Sequence, residues 1–497
     1  MNIVVICSDT FRYDHLGFVG RHPVITPNLD RLARESASFS DFQLCSFPTV
    51  VNRIEVFSGR CAFPRVGWGP LPYHYPVMSQ VFKRHGFTTA LIADNVQVMK
   101  KEYHFSRGFD YVKHVRGQQH DDWHPKDAPQ IDLPCPLEKI DASPKRLARY
   151  RRNAHWYREH GTNATETVFR EAMQWLKTAP KQFLLWIDSF DPHEPWDAPK
   201  QYLEKYPWNK DGAHVIWPHS GRANRWYSEA DLENMRSLYA AEVTQTDYWI
   251  GELLNQLRAA EMLENTAVIF CSDHGHYFGE HNMIGKFMKR GADRPSTIYE
   301  EIGHIPLLIR HPEGLAAGQT IPGLCQPQDL LPTLLELAGV PGVSWAEGNS
   351  LVSRLRGEAG QQEFGVGGSH PHEGELACLT VWTEKWCLVY NPLTGLENAE
   401  LFNRREDPEQ TQNVIGSQRT VAQHHYDLMI GWMEKLKIPA ARQRQLLHNE
   451  DFDWTNRMKY RLWMLRNRCV YLQRYRRYAG SNGRANGYAA HTSSARK

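Results

Sequence analysis

Four aspartates sit at or just past the end of short apolar runs: Asp9 in "NIVVICSDT", Asp94 in "TTALIADN", Asp188 in "FLLWIDSF" and Asp273 in "TAVIFCSDHG". Each alone is as readily a turn or cap residue as a ligand. Asp273 differs, because the imidazole of His274 follows it and Gly275 lets the backbone turn both side chains toward one cation. A second group lies in "CSFPTVVNRIEVFSGR", from Cys45 to Arg60. Thr49 follows Pro48 where a helix running to about Phe57 is expected to begin, and as an N-cap its hydroxyl contributes roughly 1 kcal/mol without any chemistry. A hydroxyl there also sits beside unpaired N–H groups and the positive end of the helix dipole, which favour an anion and an ionised oxygen. Asn52 and Arg53, one turn on, can reach the same anion.

The elements that position these residues follow from hydropathy. "NIVVICSD", "TTALIADN", "FLLWIDSF", "TAVIFCSDHG" and "IPLLIRHP" lack polar alternation and are separated by helix-length amphipathic segments. Such strands are covered on both faces, so the chain is α/β with a mostly parallel sheet flanked by helices. Ligands bind at the carboxyl ends of strands in open α/β sheets, which makes Asp9, Asp94, Asp188 and Asp273 neighbours in space. The stretch from Tyr239 to Ala260 is expected as a helix feeding the strand "TAVIFCSD". Past "QDLLPTLLELAGVPG" a glycine-rich segment loosens the pattern, and "LTVWTEKWCLVYNP" is expected as a hairpin of a smaller C-terminal α+β subdomain. The expected organisation is a main α/β domain over 1–360, the α+β subdomain over 361–437, a basic amphipathic helical extension over 438–478 and a disordered tail over 479–497.

With 497 residues, 41% hydrophobic and 23% charged, the chain is of globular, enzyme-sized composition. A net charge of +2 gives no bias toward nucleic acid, and no apolar run approaches the length of a membrane span. Nine cysteines without a CxxC pair point to free thiols in a reducing compartment, and the start of the chain has no signal-peptide pattern, so a cytoplasmic location is expected. Between Arg457 and Lys497 there are eleven Lys or Arg and no acid, with tyrosines interleaved. A helix packed on the domain or on another subunit, with a solvated charged face, is the favoured reading over contact with a polyanion or membrane surface, and a homo-oligomer through this extension is expected.

Taken together, "SDTFRYDHLGFVG" with "TPNLDRLARES", the "SGR" ending the helix, "FDPHEPW", "SDHGHYFGEHNMIGK" with "YEEIGHIPLLIRHPEG", and "ELFNRREDPEQTQNV" resemble the sulfatase family of the alkaline phosphatase superfamily, in the family's order. The resemblance implies the alkaline-phosphatase-like fold and puts the nucleophile ten residues before Gly59, at Thr49. Cys45 is out of register and reads as a small buried side chain. It further implies Asp9, Thr49, Asp273 and His274 as ligands of one divalent cation, Arg53 and Lys286 as the cations on the substrate anion, Asn52 as an oxyanion donor and His193 as the general acid at the leaving group.

Departures from the family pattern redirect the chemistry. Formylglycine hydrate expels sulfate by collapsing to an aldehyde, and threonine has no such route, so Thr49 suits a covalent phosphoryl intermediate cleared by water, as in phosphonate monoester hydrolases and phosphodiesterases. Ser8 replaces one of two adjacent family aspartates, and Asp94 or Asn95 stands where a second substrate lysine is usual. His274 in place of asparagine moves the ligand set toward Mn²⁺ or Zn²⁺ and away from Ca²⁺. The expected substrate is a small-molecule phosphate or sulfate ester. The competing expectations are a sulfatase working without formylglycine, a two-metal site in which Asp188 or Asp191 and His370 or His372 hold a second ion, and a catalytically inactive binding protein.

Overall fold

The five apolar runs form strands of one eight-stranded sheet, ordered Thr320–Ile321, Ala37–Phe39, Leu307–Arg310, Thr266–Ser272, Asn2–Ser8, Phe183–Ser189, Thr88–Ala93 and Tyr111–His114. The structure is a computed structural model that describes residues 1–286, 297–358, 360, 362–369, 378–392 and 395–448. The five strands from Thr266–Ser272 to Tyr111–His114 are parallel, and Leu307–Arg310 runs antiparallel to both its neighbours. The fold class is therefore the one expected from the uninterrupted apolar runs.

Alternation along Asn2–Ser8 explains why neither face of the sheet is wet. Ile3, Val5 and Cys7 belong to one buried cluster and Val4 and Ile6 to the other, so each strand contributes to two cores. Full burial of each such aliphatic side chain contributes about 1.5–3 kcal/mol. The helix expected over Tyr239–Ala260 begins earlier and spans Glu229–Ala259, because Ser228 and Asp231 form a reciprocal capping box ahead of it. Its Tyr239 hydroxyl donates to the Thr10 carbonyl at 2.8 Å and accepts from the Arg12 N–H at 2.9 Å. That contact pins the turn leaving the central strand.

The expected hairpin is present as Leu379–Thr383 paired with Trp386–Tyr390. It belongs to a five-stranded sheet ordered Glu400–Asn403, Trp386–Tyr390, Leu379–Thr383, Phe364–Ser369 and Ser46–Phe47. The last strand comes from just ahead of Thr49 and pairs in parallel with Phe364–Ser369. The smaller sheet thus anchors the segment that delivers Thr49, and the two regions interlock. Ala440–His448 is helical, while residues 449–478 of the basic extension, the tail, and His370 and His372 lie outside the described residues. Among the described residues no helix is long and apolar enough to cross a membrane.

Candidate active site

Thr49 opens a helix, Thr49–Ser58, that is buried along its whole length. It is the first helical residue and not the N-cap: Pro48 occupies the cap position, and its carbonyl accepts from the N–H groups of Val51 and Asn52. The Thr49 hydroxyl, released from capping, lies 3.1 Å from His274 Nε2. The helix stops at Gly59, whose φ of 70° lies in the left-handed region and whose N–H reaches the Glu55 carbonyl at 2.7 Å. A Cβ there would stand 2.6 Å from Leu331 Cδ2, so glycine is required twice over.

The parallel strands bring Asp9 and the Asp273–His274 pair side by side, since Ser8 and Ser272 are register partners. His274 Nε2 lies 3.9 Å from Asp9 Oδ1 and 3.6 Å from Asp273 Oδ2. Asp273 Oδ1 accepts from the N–H groups of Thr10 and His274, at 2.9 and 2.8 Å, while Oδ2 is buried with no hydrogen bond. The His274 Nδ1–H donates to the Gly275 carbonyl at 3.0 Å, which leaves Nε2 as the lone-pair side facing Thr49 and the carboxylates. Gly275 permits this turn, because a Cβ there would lie 1.9 Å from the Glu301 carbonyl oxygen. Thr10 adopts φ 66°, a conformation threonine rarely accepts, and in it aims its N–H at Asp273 and its hydroxyl at Asp9.

This donor set fits a divalent cation. Two carboxylates and an imidazole offer ligand atoms within 4.8 Å of one another, all buried, and one carboxylate oxygen has no hydrogen-bond partner. Burial raises the Asp9 carboxyl well above its ordinary range, and the charge of Asp273 raises it further. Burial works the same way on Asp273, but His274, Arg53 and the Thr10 N–H outweigh it and hold that group well below its ordinary range. His274 is pushed down to about 4, by burial and by the nearby cations Lys286 and Arg53, so its imidazole is neutral at physiological pH.

Around this centre the other expected residues take distinct places. Arg53 is fully buried; its Nε and Nη2 donate to Asp188 at 2.7 and 3.1 Å, and Nη1 lies 3.2 Å from both Asn52 Oδ1 and Asp273 Oδ2. Its bidentate edge is thus turned to Asp188 and not to an open anion position. Burial works against the Arg53 charge, and Asp188 and Asp273 more than restore it. Asn52 keeps a buried Nδ2 without a partner. Lys286 Nζ, also buried, forms an ion pair with Glu194 Oε2 at 3.0 Å without hydrogen-bond geometry. The His193 Nδ1–H donates to the Glu194 carbonyl at 2.6 Å, its ring stacks on Phe190, and burial followed by Lys286 lowers its pKa well below the ordinary value.

Several expectations are not met in space. Both Asp188 oxygens are taken by Arg53 and one also by the Trp186 indole N–H, and Asp191 faces Thr165, Gln118 and Gln245, so neither turns toward the Asp9 group. Asp94 accepts from the Phe190 N–H and stays outside the cluster, whereas Asn95 donates to Asp9 Oδ2 at 2.9 Å. Cys45 is fully buried, and burial raises its thiol pKa. Glu194 was missed. Its position between His193 and Pro195 in "FDPHEPW" was the available signal.

The described geometry has counterparts among known proteins. A family model described as Sulfatase matches residues 1–340, and one described as N-sulphoglucosamine sulphohydrolase, C-terminal, matches residues 285–435. The chain is 27% identical over 476 residues to uncharacterized sulfatase YidJ of Escherichia coli, covering 88% of each chain. It is 24% identical to an arylsulfatase of Clostridium perfringens, over 89% of this chain and 95% of the relative. Among solved structures it is similar to BT4656 in complex with its substrate D-glucosamine-2-N,6-O-disulfate (TM-score 0.67, 18% identity, 89% of this chain and 99% of that one). It is equally similar in fold to the phosphonate monoester hydrolase of Agrobacterium radiobacter (TM-score 0.67, 20% identity, 89% of this chain and 96% of that one).

Proposed function

The chain belongs to the sulfatase family of ester hydrolases, and within it we propose a metal-dependent enzyme that cleaves phosphodiester or phosphonate monoester bonds with Thr49 as nucleophile. The observation that carries this reading is the Thr49 hydroxyl 3.1 Å from His274 Nε2, at the head of a buried helix and beside the Asp9, Asp273 and His274 group. Asp9, Asp273 and His274, together with the Thr49 hydroxyl, would hold the cation; Mn²⁺ or Zn²⁺ would suit an imidazole-containing set better than Ca²⁺. When bound, such an ion supplies positive charge that favours the ionised threonine oxygen and the transferring group.

The side chains then divide the work. Ionised Thr49 Oγ attacks phosphorus, the bond to the leaving oxygen breaks, and a threonine ester forms that keeps the phosphorus group's remaining alkyl, aryl or alkoxy substituent. Asn52 Nδ2 and Lys286 Nζ, both without hydrogen-bond partners, are available to the equatorial oxygens. Arg53 keeps Asp188 and Asp273 in place and lends its charge from behind. His193, neutral at rest, first takes up a proton equivalent to the one Thr49 releases on ionising; as the imidazolium it delivers that proton to the leaving oxygen, and in the second half-reaction it takes one from the water that attacks phosphorus, an equivalent proton returning to Thr49 Oγ as the threonine is freed. A threonine ester of sulfate would need the same attack by water, which is why the second reading, a sulfatase working without formylglycine, is kept; the sulfatase relatives favour it.

Turnover of bis(4-nitrophenyl) phosphate, a phenylphosphonate monoester and 4-nitrophenyl sulfate by the purified protein ranks the two readings. Faster turnover of the phosphorus esters, abolished in Thr49→Ala, is expected; a preference for the sulfate favours the second, and activity unchanged in Thr49→Ala rejects the nucleophile.

A further inference from the structure

We propose that Glu194 makes this site select singly charged ester groups over doubly charged ones, by cancelling the charge of Lys286 where the substrate anion binds. The inference rests on reading the site as an ester-hydrolysing centre with Lys286 on the anion.

Glu194 Oε2 lies 3.0 Å from Lys286 Nζ, 3.4 Å from His193 Nδ1 and 3.7 Å from His276 Nε2. Its segment is fixed, because its carbonyl accepts from His193 Nδ1 at 2.6 Å and from Gln119 Nε2 at 3.3 Å. Both partners of the ion pair are nearly buried, with 6% of the lysine and 13% of the glutamate side chain exposed, so their charges are poorly screened. Lys286 Nζ, Glu194 Oε2 and both His276 ring nitrogens are buried with no hydrogen-bond partner. Such a set of unmet donors and acceptors marks a place completed by a ligand or water.

The formal charges give the consequence. Arg53 and Lys286 face four carboxylates, Asp9, Asp188, Asp273 and Glu194, so one bound divalent ion brings the set to balance. A singly charged diester or sulfate ester then leaves the site one unit negative, and a doubly charged phosphate monoester leaves it two. Whether or not an ion is bound, removing the Glu194 charge makes the site one unit more positive. A doubly charged ligand gains twice what a singly charged one gains. Glu194 acts through Lys286 and is a positioning residue that sets specificity.

Benzenesulfonate and phenylphosphonate, of nearly equal shape and neither hydrolysable, separate charge from fit. Calorimetric titration at a pH where phenylphosphonate has lost its second proton gives the affinity ratio of the two. In Glu194→Gln the ratio is expected to move about tenfold toward phenylphosphonate, and in Glu194→Asp, which keeps the charge, to stay near that of the wild type. An unmoved ratio in Glu194→Gln, equal shifts in both variants, or no binding of either probe to the wild-type protein overturns the proposal. Should Glu194→Gln not fold, Lys286→Met with Glu194 in place moves the ratio the opposite way by a similar factor, and an unchanged ratio there overturns it equally. Neither probe is turned over, so absence of esterase activity, which would sink the functional reading, leaves this measurement intact.

Discussion

Arg53 grips Asp188 through Nε and Nη2, at 2.7 and 3.1 Å, with both side chains fully buried. Breaking a buried pair from one side leaves an uncompensated charge. Asp188→Asn is therefore expected to lower the unfolding free energy by about 3 kcal/mol. Urea unfolding checks this, and a loss below about 1 kcal/mol would mean that Asp273, 3.2 Å from the guanidinium, is partner enough.

His193 is neutral in the free protein, with Nδ1–H bound to the Glu194 carbonyl and its pKa lowered by burial and Lys286. A proton carrier on the leaving-group side matters most when the leaving oxygen is basic. His193→Ala is expected to slow hydrolysis of an alkyl ester about a hundredfold or more, but that of a 4-nitrophenyl ester by less than about tenfold. Equal losses on both substrates argue for a purely structural histidine.

Glu55, inside the Thr49 helix, gives a pH signature of its own. Burial pushes its pKa up from 4.5 to about 8, although Ser46, Cys45 and the Ala62 N–H pull it down. Because the folded value is raised, the native state holds a proton that the unfolded chain has released. Its contribution to stability is full below about 4.5 and is lost as pH rises to about 8, at roughly 1.4 kcal/mol per pH unit. Glu55→Gln removes that slope: its stability relative to the wild type should rise across this window and level off above about 8. A pH-independent difference between the two proteins contradicts the buried neutral carboxyl.

Asp9 and Asp273 in one buried site repel each other unless a cation lies between them. Chelator-stripped protein is expected to melt several degrees higher on addition of Mn²⁺ or Zn²⁺, with a smaller effect of Ca²⁺. His274→Ala should weaken the first two far more than the third. Melting curves indifferent to all three ions speak against the metal assignment.

The fold was legible because its signal is local: runs such as "NIVVICSD" and "FLLWIDSF" have no wet face, and the hairpin around Glu384 and Lys385 needs only its own residues. Strand register alone was enough to bring Asp9 beside Asp273. What sequence did not disclose depends on contacts between distant segments. The strand Ser46–Phe47 is two residues long and is defined only by its partner at Gly368 and Ser369. The Glu194 carboxylate acquires meaning only against Lys286, ninety-two positions later, and the turning of the Arg53 edge toward Asp188 requires both side chains in three dimensions. Likewise Thr49 was expected as a cap, since nothing in "FPTVV" indicates that Pro48 takes the cap position and leaves the hydroxyl to His274.

The central claim is that Thr49 carries the group being transferred. Rapid acid quench of the metal-loaded enzyme during turnover of an aryl phosphonate monoester or phosphodiester, followed by peptide mass spectrometry, tests it most directly. The expected result is the substrate's phosphorus-containing group on Thr49 in the wild type and on the serine in Thr49→Ser. Steady turnover with an unmodified Thr49 at every quench time, or the group found on another side chain, would contradict the account.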